Sequence, residues 1–219
     1  MLEKDLQNSD LYEARFQCKE RKSNARFFCA LLAIFIVFVS FRGWWTSSYG
    51  GVIVDGLSMR TTLSDGQRLL MRYADKRHKA ERGDIIVIYV GGYAECQSVK
   101  GDYLIKRLIA KEGDKVKCTD GQIEIKYAGT SEYTLLFEPY AYYGDYKKEY
   151  DFDEYTVGAG EIFFLGDNRS GKGTSVDSRY YQYPSGSHLT DRLYKESDVY
   201  GVVPDWAVEN SEILSKIFF

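Results

Sequence analysis

Hydrophobic and polar residues follow three distinct patterns along the chain, and the first two lie near the N-terminus. Residues 1–26 are polar and mixed in charge, and basic side chains crowd their end at Lys19, Arg21, Lys22 and Arg26. An uncharged run over 27–41 follows, apolar on every side of a helix. The run is shorter than the roughly 20 residues that cross a bilayer comfortably. Flanking arginines can reach the headgroups, and Trp44 and Trp45 suit the membrane interface, which extends the span.

This apolar run predicts a transmembrane anchor over 27–45. A cleaved signal peptide and a buried core helix are the competing interpretations. A 26-residue leader that carries Asp and Glu is long for a signal peptide, and no clear Ala-x-Ala site follows the run. The basic cluster before the run predicts that residues 1–26 are cytoplasmic and that residues 46–219 form an extracytoplasmic domain.

The third pattern, beyond residue 50, is that of short strands. Apolar or alternating runs of strand length occur at 68–73, 84–90, 103–109, 122–127 and 161–165. Residues 140–156 are rich in Tyr, Asp, Glu and Lys and predict an exposed loop or a small lobe. The predicted fold class is therefore mainly β, with one N-terminal helix before an antiparallel sheet domain.

Composition narrows the function classes. The 219 residues carry a net charge of −3, which gives no strong attraction to nucleic acid. Neither His78 nor His188 lies in a His-Glu-x-x-His motif, and no Cys-x-x-Cys pair occurs, so zinc and thioredoxin chemistry are not predicted. Cys96 and Cys118 are either a disulfide or two unpaired thiols, since sequence does not fix their separation.

Two segments suggest nucleophilic catalysis. Ser58 follows an apolar run and a glycine turn, which can present its hydroxyl to a cleft, although most such serines cap turns. Lys106 and Arg107 interrupt an apolar strand, and because side chains alternate we expect one of the two to face inward. The alternative is an edge strand with Lys106 in water. A desolvated lysine loses its proton more easily, and the neutral amine can then accept a proton from a serine hydroxyl.

A third segment is densely polar and follows a buried strand. It reads Gly166-Asp167-Asn168-Arg169, and Ser175-Val176-Asp177-Ser178-Arg179 comes soon after. Such a loop can support an active site, but an Asx-rich turn with a surface ion pair has the same composition.

Together with the anchor, the order of these motifs closely resembles the bacterial type I signal peptidases. The resemblance runs from the anchor to about Val203 and is loose over 117–160, a stretch that varies in that family and is expected to be a small lobe. It implies that Ser58 is the nucleophile and that Lys106 is the general base. It also implies that the backbone N–H of Ser58 serves the oxyanion and that Met59 helps to line the substrate pocket.

The resemblance assigns the remaining polar residues to support. Ser175 would orient the lysine ammonium, Asp177 and Arg179 would form an ion pair, and Asp167 and Asn168 would be structural. The chain departs from the family pattern at three places. Thr61 stands where the family usually has proline, and Gly56 stands where some members have a serine that serves as a second oxyanion donor. Five residues, 170–174, replace the usual two before the orienting serine, so Ser170 or Thr174 could take that role instead of Ser175.

The function that the resemblance implies is removal of signal peptides from secreted or surface preproteins with small residues before the cut. The enzyme would be a serine endopeptidase held in the lipid bilayer, with no cofactor and no nucleic-acid partner. The departures suggest dedication to particular substrates, such as pilin-like proteins. Two alternatives stay open: a self-cleaving Ser-Lys protease of the repressor type, disfavoured by the anchor and the acidic balance, and an inactive homologue that acts as an assembly factor or chaperone for surface proteins.

Overall fold

A computed structural model describes residues 2–75, 77–90, 103–144, 151–170, 178 and 194–218. The chain divides into two compact units, with the division between Ser48 and Tyr49.

The first unit is a single helix, α1, over Leu2–Ser48. Its portion Asn24–Ser48 has 25 residues, and the most apolar 18-residue stretch within it has a mean hydropathy of 2.1, with none of that stretch buried. A helix of this length extends about 37 Å, which exceeds the roughly 30 Å hydrocarbon core of a bilayer. By length and composition, this part of α1 is a candidate membrane span, and the predicted 27–45 anchor lies within it.

The second unit is built mainly from antiparallel strands. Their bounds are β1 Tyr49–Ile53, β2 Arg68–Tyr73, β3 Ile85–Tyr89, β4 Tyr103–Lys111, β5 Lys115–Thr119, β6 Gln122–Lys126, β7 Thr134–Leu135, β8 Phe152–Thr156, β9 Ile162–Leu165 and β10 Val199–Val203. Two short helices follow, α2 over Asp205–Glu209 and α3 over Ser211–Phe218. A mainly β fold behind an N-terminal apolar helix confirms the predicted fold class.

The strands form two sheets. The first has six strands in the order β1-β2-β10-β3-β4-β9, and the second has four in the order β7-β6-β5-β8. The second sheet therefore comes from residues 115–156, inserted between β4 and β9 of the first.

Strands β4 and β9 are covered on both faces. Leu108 and Phe164 lie opposite each other and belong to one hydrophobic core, while their neighbours Ile109 and Phe163 belong to a second core shared with the second sheet. Because neighbouring residues of a strand point to opposite faces, this arrangement buries consecutive side chains. It corrects the expectation that only one of the cations on β4 would face inward: Lys106 is 2 % exposed and Arg107 is 8 % exposed.

Candidate active site

Ser58 lies in the loop that joins β1 to β2. Gly56 precedes it with φ of +101°, a conformation that glycine adopts readily and other residues rarely do. The loop is closed by hydrogen bonds from Gly66 N to Val54 O (2.8 Å) and from Gly56 N to an Asp65 carboxylate oxygen (2.8 Å). These two bonds close the turn that carries the serine.

Lys106 reaches Ser58 from the middle of β4. Its Nζ lies 2.6 Å from Ser58 Oγ, within hydrogen-bond distance. Burial lowers the pKa of Lys106 to about 7, against the charge of Asp167, which acts to raise it. A large fraction of the amine is therefore neutral near pH 7, and a neutral amine can accept the serine proton.

Arg107 points to the opposite face of β4 and pairs with Asp167. Its Nε and Nη2 donate to the two carboxylate oxygens at 2.8 and 2.6 Å, and both side chains are buried. A third guanidinium nitrogen donates to Gly83 O at 2.7 Å. Asp167 also accepts a hydrogen bond of 2.5 Å from the Thr62 hydroxyl, in the loop that follows Ser58. This ion pair therefore connects β4 to the loop over 54–67, which we name the nucleophile loop after the predicted role of Ser58.

Asn168 holds the other side of the same loop. Its backbone N donates to Ser58 O at 2.9 Å, and its side-chain amide donates to Leu57 O at 3.0 Å. The placement of Asp167 and Asn168 is thus consistent with a supporting role.

A segment over 138–143 also contacts the site. Its residues from 140 onward were predicted to be part of an exposed loop or a small lobe, with no role at the site. Arg169 is buried and pairs with Glu138 through both terminal nitrogens, one of them at 2.8 Å. Tyr142 N donates to Asp167 O at 2.8 Å, and Arg169 N donates to Tyr142 O at 2.6 Å. The sequence signal for a partner is Arg169 itself, because an arginine next to a buried strand requires a carboxylate if it is buried, but the sequence does not show which carboxylate.

Two further residues of the nucleophile loop are unusual: Met59 is almost fully buried, and Thr61 has a positive φ. Met59 is 1 % exposed, which leaves little of its side chain for a substrate to contact, so its assignment to the pocket stays a prediction. Thr61 has φ of +92°, which is unusual for a β-branched residue. Its hydroxyl donates to Tyr140 O at 2.7 Å.

The other predicted supporting residues, Ser175, Asp177 and Arg179, lie outside the described residues, as do Thr174, Cys96 and His188. Ser170, the alternative orienting residue, donates its backbone N to Asn168 Oδ1 at 3.2 Å. Within the described residues, no group of three or more His, Cys, Asp or Glu side chains is arranged to hold a metal ion.

Comparison with known proteins gives one family. The family model described as signal peptidase, peptidase S26, matches residues 25–205. Signal peptidase I U of Bacillus subtilis is 33% identical over 141 residues, covering 60% of this chain and 65% of that protein. Signal peptidase I of Bacillus licheniformis is 35% identical over 130 residues, covering 58% and 64%. The match thus spans slightly less than two thirds of each relative. A crystal structure of a signal peptidase I from Enterococcus faecalis is 26% identical with a TM-score of 0.37, covering 58% of this chain and 98% of that one.

Proposed function

The chain belongs to the signal peptidase family, peptidase S26, and on that premise we propose that it is a membrane-bound serine endopeptidase that removes signal peptides from preproteins. The observation that carries this proposal is the 2.6 Å approach of the buried Lys106 amine to the Ser58 hydroxyl. A nucleophile with an adjacent base of lowered pKa is the arrangement that Ser-Lys acyl transfer requires.

In the first half of the reaction, neutral Lys106 accepts the Ser58 proton as Oγ attacks the scissile carbonyl carbon. The carbonyl oxygen becomes negatively charged and accepts a hydrogen bond from the Ser58 backbone N–H. One such donor contributes about 3 to 4 kcal/mol to transition-state stabilisation. The Lys106 ammonium then gives its proton to the departing amine, and the acyl-enzyme ester is left on Ser58.

In the second half, Lys106 accepts a proton from a water molecule that attacks the ester. The new carboxylic product leaves as Oγ regains its proton. On the family pattern, Ser175 orients the lysine amine and the pair of Asp177 and Arg179 supports it. Every step moves protons between groups of the chain, the substrate and water, so the scheme needs no cofactor.

The proposed topology has a cytoplasmic N-terminal leader, one span within α1 and an extracytoplasmic peptidase domain from residue 46. The basic cluster at Lys19, Arg21, Lys22 and Arg26 supports this direction, because positive residues stay on the cytoplasmic side. The substrates proposed on the family pattern are secreted or surface proteins with small residues before the cut.

We further propose that the enzyme serves particular substrates, with pilin-like proteins as the chosen example. Three departures from the family pattern support this idea: Thr61, Gly56 and the longer connection over 170–174. Efficient cleavage of many unrelated preproteins by the purified protein would count against a dedicated role.

The test is cleavage in detergent of a preprotein with an Ala-x-Ala site, using the wild type, Ser58→Ala and Lys106→Met. We expect cleavage after the second Ala by the wild type alone. Cleavage by Ser58→Ala would show that another residue is the nucleophile. If none of the three proteins cleaves this preprotein or a pilin-like one, the alternative hypothesis is favoured, in which the chain is an inactive homologue that acts as an assembly factor or chaperone for surface proteins.

A further inference from the structure

We propose that the 138–143 segment, contributed by the connection between β7 and β8 of the second sheet, is a positioning element for the nucleophile, with Glu138 as its anchor. This inference rests on the proposed function, because it assigns the segment a role at the same Ser58 site. The segment falls in the stretch where the chain matches the family loosely, so its role is not carried by the resemblance.

The segment contacts two parts of the structure around Ser58: the Asp167–Arg169 turn and the nucleophile loop itself. On one side, the Tyr142 backbone pairs with the Asp167–Arg169 turn, whose Asn168 holds Ser58 O and Leu57 O. On the other side, Tyr140 O accepts the hydrogen bond of Thr61, three residues after the nucleophile. The Tyr140 ring also lies 3.9 Å from the Arg107 guanidinium, next to Lys106 in the chain. One short segment therefore reaches the nucleophile loop, the turn that grips it and the strand that carries the base.

The Thr61 contact explains how the loop is fixed without the family's usual proline. Proline would set φ near −65°, whereas Thr61 has φ of +92°. A threonine in this conformation needs an external contact, because the left-handed region is unfavourable for a β-branched residue. The hydrogen bond to Tyr140 O is that contact, so the segment supplies the constraint that a proline ring supplies elsewhere.

Glu138 anchors the segment through Arg169. The two side chains are nearly inaccessible to water, and Arg169 also donates 2.6 Å to the Tyr143 hydroxyl and 3.2 Å to Gly166 O. Without the carboxylate, the buried guanidinium would be uncompensated and would have to move toward water. Since Arg169 belongs to the turn that holds Ser58, such a movement displaces the nucleophile.

The experiment compares Glu138→Gln with Glu132→Gln in the full-length protein in detergent. Glu132 is an exposed residue of the preceding connection, between β6 and β7, and serves as the control. We expect Glu138→Gln to lower kcat for preprotein cleavage about 100-fold with KM nearly unchanged, because a small displacement of the nucleophile costs about this factor. Glu132→Gln should match the wild type.

Hydrogen exchange gives a readout that does not depend on activity. The amides of Arg60, Thr62 and Leu63 are held by hydrogen bonds within the nucleophile loop. In Glu138→Gln we expect them to exchange about tenfold faster or more, with exchange in β3 unchanged. Unchanged loop exchange and unchanged kcat would overturn the proposal while leaving the peptidase assignment intact. Absence of cleavage by the wild type would instead contradict the peptidase assignment, and loop exchange would still decide whether the segment positions the loop.

Two milder variants at Thr61 keep the proposal testable if Glu138→Gln loosens the whole domain. Thr61→Val replaces the hydroxyl by a methyl group, whereas Thr61→Ser keeps the hydroxyl and loses the methyl group. The valine variant alone should therefore lose kcat, by about tenfold. If β3 also exchanges faster in Glu138→Gln, equal kcat for the two Thr61 variants overturns the proposal.

Discussion

On the proposed mechanism Lys106 is the general base, and its lowered pKa predicts a specific pH dependence. Only the neutral amine can accept the Ser58 proton, and burial brings its pKa to about 7. We therefore expect kcat/KM to be low at pH 5, to rise through about pH 7 and to level off above pH 8. A pH–rate profile of preprotein cleavage checks this. A rise centred near 10, the ordinary range of lysine, would contradict it.

The same burial predicts a pH dependence of stability. The pKa of Lys106 is about 7 in the folded chain and near its ordinary 10.5 when unfolded, so between these values the unfolded chain binds more protons. The free energy of unfolding therefore rises with pH from about 7, by at most about 1.4 kcal/mol per pH unit from this group. Lys106→Met lacks this contribution. Denaturant titrations at pH 7, 8 and 9 should give a steeper pH slope for the wild type, and parallel slopes would contradict the assignment.

Replacing Thr61 with the proline that the family usually has at this position should lower both stability and activity. Thr61→Pro would force φ from +92° to about −65° and distort the turn after the nucleophile, so both thermal stability and kcat should fall. Thr61→Gly relieves the backbone strain and should keep the loop conformation while losing the bond to Tyr140. Melting temperatures and kcat for both variants check this, and a proline variant as stable and active as the wild type would refute the observed loop conformation.

At the scale of elements, sequence patterns located β2, β3, β4, β6 and β9 and missed other strands, among them the regularly alternating β5. Runs predicted at 68–73 and 122–127 became β2 and β6 within a residue or so. Strand β8 was not predicted, because its ladder with β5 shifts between Val116 and Cys118 and this breaks the alternation. Strand β10 has a similar irregularity between Val199 and Gly201. Bulges depend on the partner strand, which the local sequence does not contain.

The residues around the site also divide into those that stand in sequence motifs and one, Glu138, that does not. Ser58, Lys106, Asp167 and Asn168 stand in recognisable motifs, and the structure brings them together. Glu138 stands in no recognised motif, and only the three-dimensional path of the chain shows that it, and not an exposed carboxylate such as Glu132, is the partner of Arg169.

At Gly201 in β10, the backbone lies so close to β2 that we expect even a methyl side chain to destabilise the domain. A Cβ at this position would lie 2.8 Å from Arg72 O and 3.0 Å from Met71 Sδ, on the neighbouring β2. Because the nearest atom is backbone, the strands must separate, and we expect Gly201→Ala to lower the free energy of unfolding by about 1 to 3 kcal/mol. Gly43→Ala, in α1 with open space around it, is the control and should not destabilise. Denaturant unfolding of both variants measures the difference, and equal stabilities would refute the close approach.

At the scale of the whole molecule, the prediction concerns membrane attachment through α1. One charge at the centre of a span costs about 2.5 to 3.5 kcal/mol. We expect Phe35→Asp combined with Phe38→Asp to release the protein from carbonate-washed membranes, whereas leucine at both positions should leave it attached. Retention of the double aspartate variant would argue against α1 as the anchor.

Ser58 and Lys106 are far apart in the sequence, so their pairing depends on folding of the domain. Ser58 and Lys106 are 48 positions apart in the chain and meet only once β4 has joined the sheet. Before that moment the lysine is solvated and carries its proton, so on the proposed mechanism a nascent chain holds both reacting groups and still has no hydrolytic power. On that mechanism, the chain acquires its catalytic base only when the domain has folded around Lys106.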